Sequence, residues 1–325
     1  MLRVTYERGL HLPDNGLWLD PQGARAFAFV SHAHSDHTAR HAKVLATPAT
    51  ARLMRARIAG KREEEALEFG TPHRLGGGLA TLLPAGHVLG SAQFYFQSDA
   101  GSLLYTGDFK LRPSAAAERT EWCHADTLVM ETTFGLPRYR MPPVDEVRAQ
   151  LIAWCRTLLD DGNTPVLLAY SLGKAQELLC LLRAAGLAVM LHPSVWDMTE
   201  IYRELLPGFP HTYARYKHSQ VAGHVLIWPP SASRDELTAR HQGCRTAIVT
   251  GWAVDPGATR RYKCDAAFPI SDHADYDDLL RYVDFVKPQQ VLTLHGFAAE
   301  FAADLRRRGV EAWALTEADQ LELKL

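Results

Sequence analysis

The segment HAHSDH places four potential metal ligands within six positions: His32, His34, Asp36 and His37. Side chains two residues apart on an extended segment point the same way, so His32 and His34 can bind one ion while Asp36 and His37 face a second. Imidazole ligands favour zinc, and the carboxylate allows manganese or iron as a substitute. A histidine-rich surface turn is the alternative, but such a string arises by chance with a probability on the order of one in a thousand. We therefore expect a metal-binding loop, with two ions better matched than one.

Three further candidate ligands follow apolar runs later in the chain: His87 in LLPAGH, Asp108 in LLYTGD and His295 in VLTLHG. A third histidine and a bridging carboxylate would complete the first ion site, and His295 could complete the second. Taken singly, each is weak evidence. A lone histidine at a strand end is more often a hydrogen-bonded structural residue, and Gly-Asp is commonly a turn.

These ligands need elements that bring them together, and the first third of the chain reads as short strands. The apolar runs FAFVSHAH, TLLPAGH, LLYTGD and LVMETT each end in His, Asp or Glu. A sheet that presents such side chains at its strand ends offers rigid ligand positions along one edge. Between these strands we predict a helix after Thr47 and a hairpin turn at Asp-Ala-Gly, residues 99–101.

From about Pro142 the pattern changes to an alternation of helices and strands, which predicts an α/β domain with a parallel sheet. Ligand-type residues return in SDHAD, residues 271–275, and again around His295. The sequence therefore predicts a first domain, an inserted α/β domain, and a return to the first domain.

The composition is that of an ordinary globular protein, with 325 residues, 47% hydrophobic residues and a formal net charge of −2. This balance neither supports nor excludes a nucleic-acid partner. The five cysteines are scattered without a CxxC pair, which indicates reduced thiols. Because no apolar leader or long apolar run is present, we expect a cytoplasmic protein without a membrane partner.

The ordered set of HAHSDH, Gly-His at His87 and Thr-Gly-Asp at Asp108 resembles the metallo-β-lactamase superfamily, whose fold is a four-layered αββα sandwich with metals at the sheet edge. METTFG with Glu131, YSLGKAQE, TGWAVDPGA, SDHAD with His273, and LHG with His295 resemble the β-CASP branch. Members of that branch process nucleic acids and carry a second domain inserted into the sandwich. The resemblance implies a metallo-β-lactamase domain of residues 1–141 and 263–325, and an inserted α/β β-CASP domain of residues 142–262.

Within that branch, the short length and the end at LELKL look most like the bacterial ligase-associated DNA exonucleases. Those enzymes are thought to act in DNA end repair beside a DNA ligase and a helicase, so the resemblance implies a DNA exonuclease with these partners. His295 instead resembles the RNA-cleaving β-CASP enzymes, which keeps an RNA-processing nuclease as the alternative. A small-molecule hydrolase is disfavoured by the inserted domain, and a non-catalytic scaffold by the filled ligand positions.

The resemblance also implies a role for each site residue. One zinc ion would be held by His32, His34 and His87, a second by Asp36, His37 and His295, with Asp108 bridging them. Water activated by both ions would be the nucleophile, so no serine or cysteine is required. The catalytic candidates are Asp36, His273 as the general acid for the leaving oxygen, and Glu131 as the carboxylate that holds His273. A turn or helix-capping carboxylate is the alternative for Glu131.

Several further motifs offer candidate contacts to the substrate. YSLGK could offer Ser171 and Lys174 to a phosphate at a helix start, although a merely exposed lysine fits equally well. Ser91 in GSAQ could lie near the metals, although Gly-Ser is also simple turn chemistry. Four arginine-rich pieces, three of which contain tyrosines, are candidates for a groove that follows a nucleic-acid backbone, although most such runs are solvated faces. They are RLMRAR, RYR at Arg138 to Arg140, YARYKH and TRRYK.

Overall fold

A computed structural model describes residues 3–233, 237, 243–315 and 323–324. The chain divides into two compact units. Unit 1 comprises Met1–Tyr139 with His273–Leu325, and unit 2 comprises Arg140–Asp272. The structure is thus a mixed α/β fold in which the chain leaves unit 1, builds unit 2 and returns.

Strands make up most of unit 1. Its described strands are β1 Arg3–Tyr6, β2 Leu10–Leu12, β3 Leu17–Leu19, β4 Phe27–Phe29, β5 Lys43–Ala46, β6 Glu63–Ala66, β7 His73–Leu75, β8 Gly78–Pro84, β9 Ala92–Ser98, β10 Gly101–Tyr105, β11 Thr127–Glu131, β18 Gln290–Leu294, β19 Glu311–Ala314 and β20 Leu323–Lys324. Its described helices are α1 Pro48–Arg57, α6 Tyr276–Val286 and α7 Ala298–Arg307. The expected hairpin is present, since β9 ends at Ser98 and β10 begins at Gly101.

The strands of unit 1 form two sheets. Sheet 1 has the order β20-β1-β2-β3-β4-β5-β6, and sheet 2 has the order β19-β18-β11-β10-β9-β8-β7. In sheet 1 the strands from β3 to β6 are parallel. In sheet 2, β10, β11 and β18 are parallel, and β8 runs the same way because both β8 and β10 are antiparallel to β9. The strands that precede the candidate ligands therefore end at a common edge of each sheet.

Sheet 2 is apolar on both faces, as a central layer requires. Alternate side chains of a strand point to opposite faces. Leu103 accordingly joins the core that sheet 2 shares with Phe29 and Leu45 of sheet 1, whereas the adjacent Leu104 packs with Leu279 of α6 on the other face. Helix α1 lies beside β6 of sheet 1. These layers are the four-layer αββα sandwich that the resemblance implies.

Two helices of unit 1 begin after a residue whose side chain caps the first turn. Helix α1 starts with Pro48 after Thr47, whose hydroxyl accepts a hydrogen bond from the Thr50 amide at 3.1 Å. This confirms the helix predicted after Thr47. Helix α6 starts after Asp275, whose carboxylate accepts from the Asp278 amide at 2.9 Å. Since Asp275 stands two residues after His273, this cap also fixes the backbone near that histidine.

Unit 2 has the predicted parallel α/β character. Its strands form sheet 3, in the order β14-β13-β15-β12-β16-β17, and every pairing described is parallel. The strands are β12 Thr164–Leu168, β13 Val189–Leu191, β14 Ala214–Arg215, β15 Val225–Trp228, β16 Cys244–Val249 and β17 Ala266–Phe268. The described helices are α2 Val144–Asp160, α3 Lys174–Ala184, α4 Pro193–Leu205 and α5 Ala258–Tyr262.

The return to unit 1 comes at residue 273, whereas the sequence placed it at residue 263. The difference has a clear cause, because β17 at Ala266–Phe268 pairs with β16 and so completes sheet 3. The first transition lies at residue 140, close to the predicted 142.

Two features of the composition can be compared with the structure. All five cysteines are free thiols. In the part of the chain that the structure describes, no helix is both long enough and apolar enough to cross a membrane.

Replacing a leucine between the two sheets should destabilise unit 1. Leu292 of β18 is fully buried in the core between the sheets. We expect Leu292→Ala to lower the free energy of unfolding by about 2–5 kcal/mol, because it removes buried methyl groups and leaves a cavity. Urea denaturation followed by circular dichroism measures this loss.

The matched control is Leu79→Ala in β8, where the side chain is 41% exposed and a loss below about 0.5 kcal/mol is expected. Equal losses in the two variants would contradict the assignment of Leu292 to the core.

Candidate metal centre

The candidate ligands lie just beyond strand ends of unit 1. His32 and His34 follow β4, and His87 follows β8. Asp108 follows β10, and His295 follows β18. Since these strands run the same way within their sheets, ligands that are far apart in the sequence lie close together in space at the strand ends.

The structure brings His32, His34, His87 and Asp108 into one group, in which one ligand atom from each lies within 4.8 Å of all the others. His34 Nδ1 lies 3.0 Å from His32 Nε2 and 3.1 Å from His87 Nε2. Zinc–nitrogen bonds of about 2.0–2.1 Å in a tetrahedron place the nitrogens roughly 3.3 Å apart. Three imidazoles and a carboxylate at this spacing fit a zinc ion.

The protonation states of His32 and Asp108 favour a bound cation. Burial lowers the pKa of His32 well below its usual value, and the neighbouring imidazoles of His37 and His87 lower it further. His32 is therefore neutral and has a lone pair to donate. Burial alone would raise the pKa of Asp108, but His37 and His273 outweigh burial and hold it well below the usual range. Asp108 is thus an ionised carboxylate in the middle of the group.

His37, Asp36 and His295 make a looser arrangement beside Asp108. His37 Nε2 lies 3.3 Å from Asp108 Oδ2 and 3.9 Å from Asp36 Oδ2. The Asp36 side chain is 76% exposed, unlike the buried Asp108. The ring of His295 lies 5.8 Å from that of His37, between centroids. The residues expected to hold a second ion are therefore close to one another but less tightly grouped than the first four.

Asp20 lies beside the candidate ligands and is absent from the residues that the sequence predicts for the site. It follows β3, is buried, and has a positive φ of 44°. Its carboxylate accepts hydrogen bonds from the Ser31 amide at 2.8 Å, from the Ser31 hydroxyl, and from Tyr105 Oη at 2.9 Å. His37 Nδ1 also lies 2.9 Å from it. Asp20 therefore orients the loop that carries His32 and His37. Like the chosen ligands, it ends an apolar run, GLWLD, and that signal could have found it.

His273 and Glu131 form a pair next to the metal ligands. His273 Nδ1 lies 2.9 Å and 3.0 Å from the two carboxylate oxygens of Glu131, and 4.0 Å from Asp108 Oδ2. Glu131 is the last residue of β11 and is 1% exposed. It also accepts hydrogen bonds from the Phe109 amide at 2.9 Å and from the Thr133 hydroxyl. Glu131 thus holds the imidazole in a fixed orientation and does not cap a helix.

Two glycines allow the loops to approach closely. Gly107 has a φ of +54°, and a Cβ there would lie 2.7 Å from Cβ of Ser31. Gly296 has a φ of +59°, and a Cβ there would lie 2.4 Å from the Thr132 carbonyl oxygen. Larger residues at these positions would push Asp108 away from His32, and His295 away from Glu131.

The structure gives different surroundings to the three candidate substrate contacts. Ser91 is buried, and its hydroxyl accepts hydrogen bonds from the His87 and Val88 amides at 3.1 and 3.2 Å, so it closes the turn that carries His87. Lys174 at the start of α3 is 1% exposed, and its ammonium lies 3.1 Å from Glu177 Oε2. Lys174 is therefore neither surface-exposed nor an unpaired cation. Ser171 is partly exposed, with its hydroxyl 3.4 Å from that of Ser194.

Comparisons with known proteins place this geometry in a family. Residues 263–315 match the family model described as the Zn-dependent metallo-hydrolase RNA specificity domain. The chain is 52% identical over 322 residues to a protein of Opitutus terrae named "Probable DNA ligase", a match that covers 98% of this chain and 32% of that protein. It is 29% identical to the chicken (Gallus gallus) "5' exonuclease Apollo", over 84% of this chain and 59% of that protein. It is also 35% identical to "Endoribonuclease ysh1" of Aspergillus fumigatus, over 36% of this chain and 14% of that protein.

The chain belongs to the β-CASP branch of the metallo-β-lactamase superfamily. A solved structure agrees with the fold, namely the crystal structure of a protein of unknown function from Enterococcus faecalis V583. That structure has a TM-score of 0.62 at 13% identity, and the match covers 91% of this chain and 81% of that chain. The β-CASP chain spans less than two thirds of the length of the curated relatives just described. The family description and the His/Asp group both indicate zinc as the metal.

Removing the Asp20 carboxylate should weaken metal binding by this β-CASP chain. Asp20→Asn keeps the size of the side chain but replaces an acceptor oxygen with a donor that faces the hydrogens of Ser31, His37 and Tyr105. Loss of such support for a ligand typically costs 10–100-fold in metal affinity. Zinc titration of the metal-free variant against a competing chelator measures the change.

The control is Asp126→Asn, which alters a carboxylate that accepts from the Ser102 amide at 2.8 Å on β10, away from the metal ligands. Its zinc affinity should equal that of the unaltered chain. An Asp20→Asn variant with unchanged affinity would show that Asp20 does not orient the ligands.

Proposed function

We propose that the chain is a metal-dependent nuclease that hydrolyses phosphodiester bonds at DNA ends, as an exonuclease in DNA repair. The observation that carries the proposal is the contact between two sets of residues. Asp108 belongs to the metal-ligand group and also lies 4.0 Å from His273, which is hydrogen-bonded to Glu131. A metal site with an adjacent histidine–carboxylate pair is suited to phosphodiester hydrolysis, because that reaction needs both charge neutralisation and a proton for the leaving oxygen.

The candidate ligands would form two neighbouring ion positions. His32, His34 and His87 would hold one zinc ion, and Asp36, His37 and His295 the second, with Asp108 between them. Manganese is the expected substitute. When bound, the ions would supply Lewis-acid stabilisation of the phosphodiester and lower the pKa of a water molecule. The 3.3 Å distance between His37 Nε2 and Asp108 Oδ2 supports a second position, because it places another ligand on the carboxylate that serves the first.

His273 would act as the general acid for the leaving 3′ oxygen. Its Nδ1 faces Glu131, so the other ring nitrogen is the one that can exchange a proton with the substrate. Glu131 would keep the ring oriented through turnover, because it is buried and held by further hydrogen bonds. Asp36 would act through the second ion.

DNA is favoured as the substrate by the extent of the similarities. The relatives named Apollo are matched over more than four fifths of this chain in chicken, rat and mouse. The DNA cross-link repair protein SNM1 of Arabidopsis thaliana is matched over 83% of it. RNA remains a second candidate on two specific observations, the description of the matched family as an RNA specificity domain and the similarity to the endoribonuclease ysh1. His295 supports the same alternative.

A functional association with a DNA ligase is part of the proposal. In Opitutus terrae, a region 52% identical to this chain forms 32% of a protein named "Probable DNA ligase". A nuclease that trims DNA ends would prepare the termini that a ligase joins. The association with a helicase stays a prediction from the resemblance, and the cytoplasmic location stays a prediction from the sequence.

One assay tests the function and the choice of substrate. The purified chain is treated with chelator, reloaded with zinc or manganese, and given single-stranded DNA, duplex DNA with either overhang, and matched RNA, each labelled at the 5′ or the 3′ end. We expect metal-dependent removal of nucleotides from DNA ends and no activity after chelation, because the ligand group binds the ions that the reaction needs. Cleavage of RNA alone would replace the DNA assignment, and inactivity on every substrate with metal bound would refute the nuclease.

Replacing His273 should separate proton transfer from metal binding. We expect His273→Ala to lower the cleavage rate by roughly 10²–10⁴-fold, the usual contribution of a general acid, with the zinc content unchanged. Single-turnover rates and elemental analysis on the same samples measure both quantities.

The matched control is His73→Ala, which removes a histidine of unit 1 that is also paired with a glutamate, at 2.8 Å from Glu65 Oε1. That variant should keep the full rate. Loss of zinc from His273→Ala would make His273 a metal ligand and overturn its assignment as the acid.

A further inference from the structure

Arg138 lies on a stack of aromatic rings in unit 1. Its guanidinium carbon is 4.8 Å from the ring centroid of Tyr139 and 5.7 Å from that of Phe297. It also donates a hydrogen bond to Tyr139 Oη at 2.9 Å. The two rings lie 5.4 Å apart at an interplanar angle of 28°. We call Arg138, Tyr139 and Phe297 the Arg138 stack.

The stack has a rigid base. Tyr139 is 1% exposed, and its carbonyl accepts a hydrogen bond from the Tyr276 amide at 3.2 Å. The Phe297 amide donates to the Thr132 carbonyl at 2.9 Å. An arginine held over such rings loses less freedom when it binds a ligand, because its side chain is already ordered. Arg138 is therefore preorganised, although its guanidinium is on the surface.

The stack adjoins the candidate catalytic residues. The ring of Phe134 lies 5.4 Å from that of Tyr139 and 6.2 Å from that of His273. Phe297 stands two residues after His295 in the chain. The ring of Phe134 therefore links the stack to the proposed general acid, and the short segment from His295 to Phe297 links it to a proposed metal ligand.

In the part of the chain that the structure describes, no carboxylate pairs with the guanidinium of Arg138. Within the described ranges, its only recorded polar contact is with the Tyr139 hydroxyl. Arg281 in the same unit is different, since it lies over Phe285 at 5.6 Å and also pairs with Asp278 at 3.0 Å. Both arginines are exposed and lie over aromatic rings, but only Arg281 is neutralised by a carboxylate.

We propose that Arg138 binds a backbone phosphate of the nucleic-acid substrate, next to the bond that is cut. The proposal rests on the nuclease function and adds a specific contact to it. A planar guanidinium can bind two phosphate oxygens at once through the N–H groups along its edges, and stacking on the rings below leaves those edges open apart from the hydrogen bond to Tyr139 Oη. The contact is independent of base sequence, so it would place any strand against His273 and the metal ligands.

Salt-dependent binding tests the contact. The zinc-loaded full chain is titrated with a fluorescent single-stranded oligonucleotide joined by hydrolysis-resistant phosphorothioate linkages, at several salt concentrations. A single phosphate contact contributes about 0.7 to the slope of log affinity against log salt on single strands. We expect Arg138→Gln to reduce the slope by that amount and to weaken binding roughly tenfold at low salt.

Two variants separate a phosphate contact from a structural role. Arg138→Lys keeps the charge, so it should restore the slope while recovering only part of the affinity, since lysine lacks the planar fork. Arg281→Gln is the matched control, and it should leave both slope and affinity unchanged.

The possible results are distinct. An unchanged slope in Arg138→Gln, equal losses in Arg138→Gln and Arg281→Gln, or a slope that Arg138→Lys does not restore would each overturn the proposed contact. Failure of the unaltered chain to bind or cut any nucleic acid would instead refute the nuclease itself.

Discussion

The arrangement of the site depends on the hydrogen bonds that the buried carboxylate of Asp20 accepts. The carboxylate lies at the end of a strand of sheet 1, and it is bound by Ser31 and His37 of the metal loop and by Tyr105 of sheet 2. A buried carboxylate is tolerated only while its hydrogen-bonding capacity is satisfied, and the loss of partners costs several kcal/mol. The loop cannot move away without leaving this group unpaired. The ligand geometry is therefore set by the protein's own packing, and an arriving ion finds nitrogen atoms already in place.

The grouping of most candidate ligands could be predicted because their signals are local. His32, His34 and His37 share one short string, and His87 and Asp108 each end an apolar run that folds as a strand. The alternation of helices and strands after residue 142 likewise predicted a parallel sheet, since that pattern depends on near neighbours in the chain. The sequence therefore predicted which residues stand at the strand ends of unit 1 and that unit 2 is an α/β domain with a parallel sheet.

The misses have a common physical origin in contacts between distant residues. Asp20 ends the apolar run GLWLD as the candidate ligands end theirs, but its partners stand 11, 17 and 85 residues away, so the sequence does not show which groups its carboxylate binds. The sequence left Lys174 as either a phosphate ligand or an exposed lysine, and its burial beside Glu177 excludes an exposed lysine. Strand β17 is only three residues long and is recognisable chiefly by its pairing with β16, so its place in sheet 3 does not follow from the sequence.

The order of strands in sheet 2 has a consequence for synthesis on the ribosome. His32, His34, His87 and Asp108 all emerge before unit 2, so the tight ligand group can assemble early. Strand β11 then waits for β18, its parallel neighbour, until the whole of unit 2 has been translated. During that interval an apolar strand has a bare edge, the kind of surface that pairs with other chains. The nascent protein thus passes through a stage that carries the four grouped ligands but lacks His273 and His295, and the length of unit 2 sets how long the edge of β11 stays unpaired.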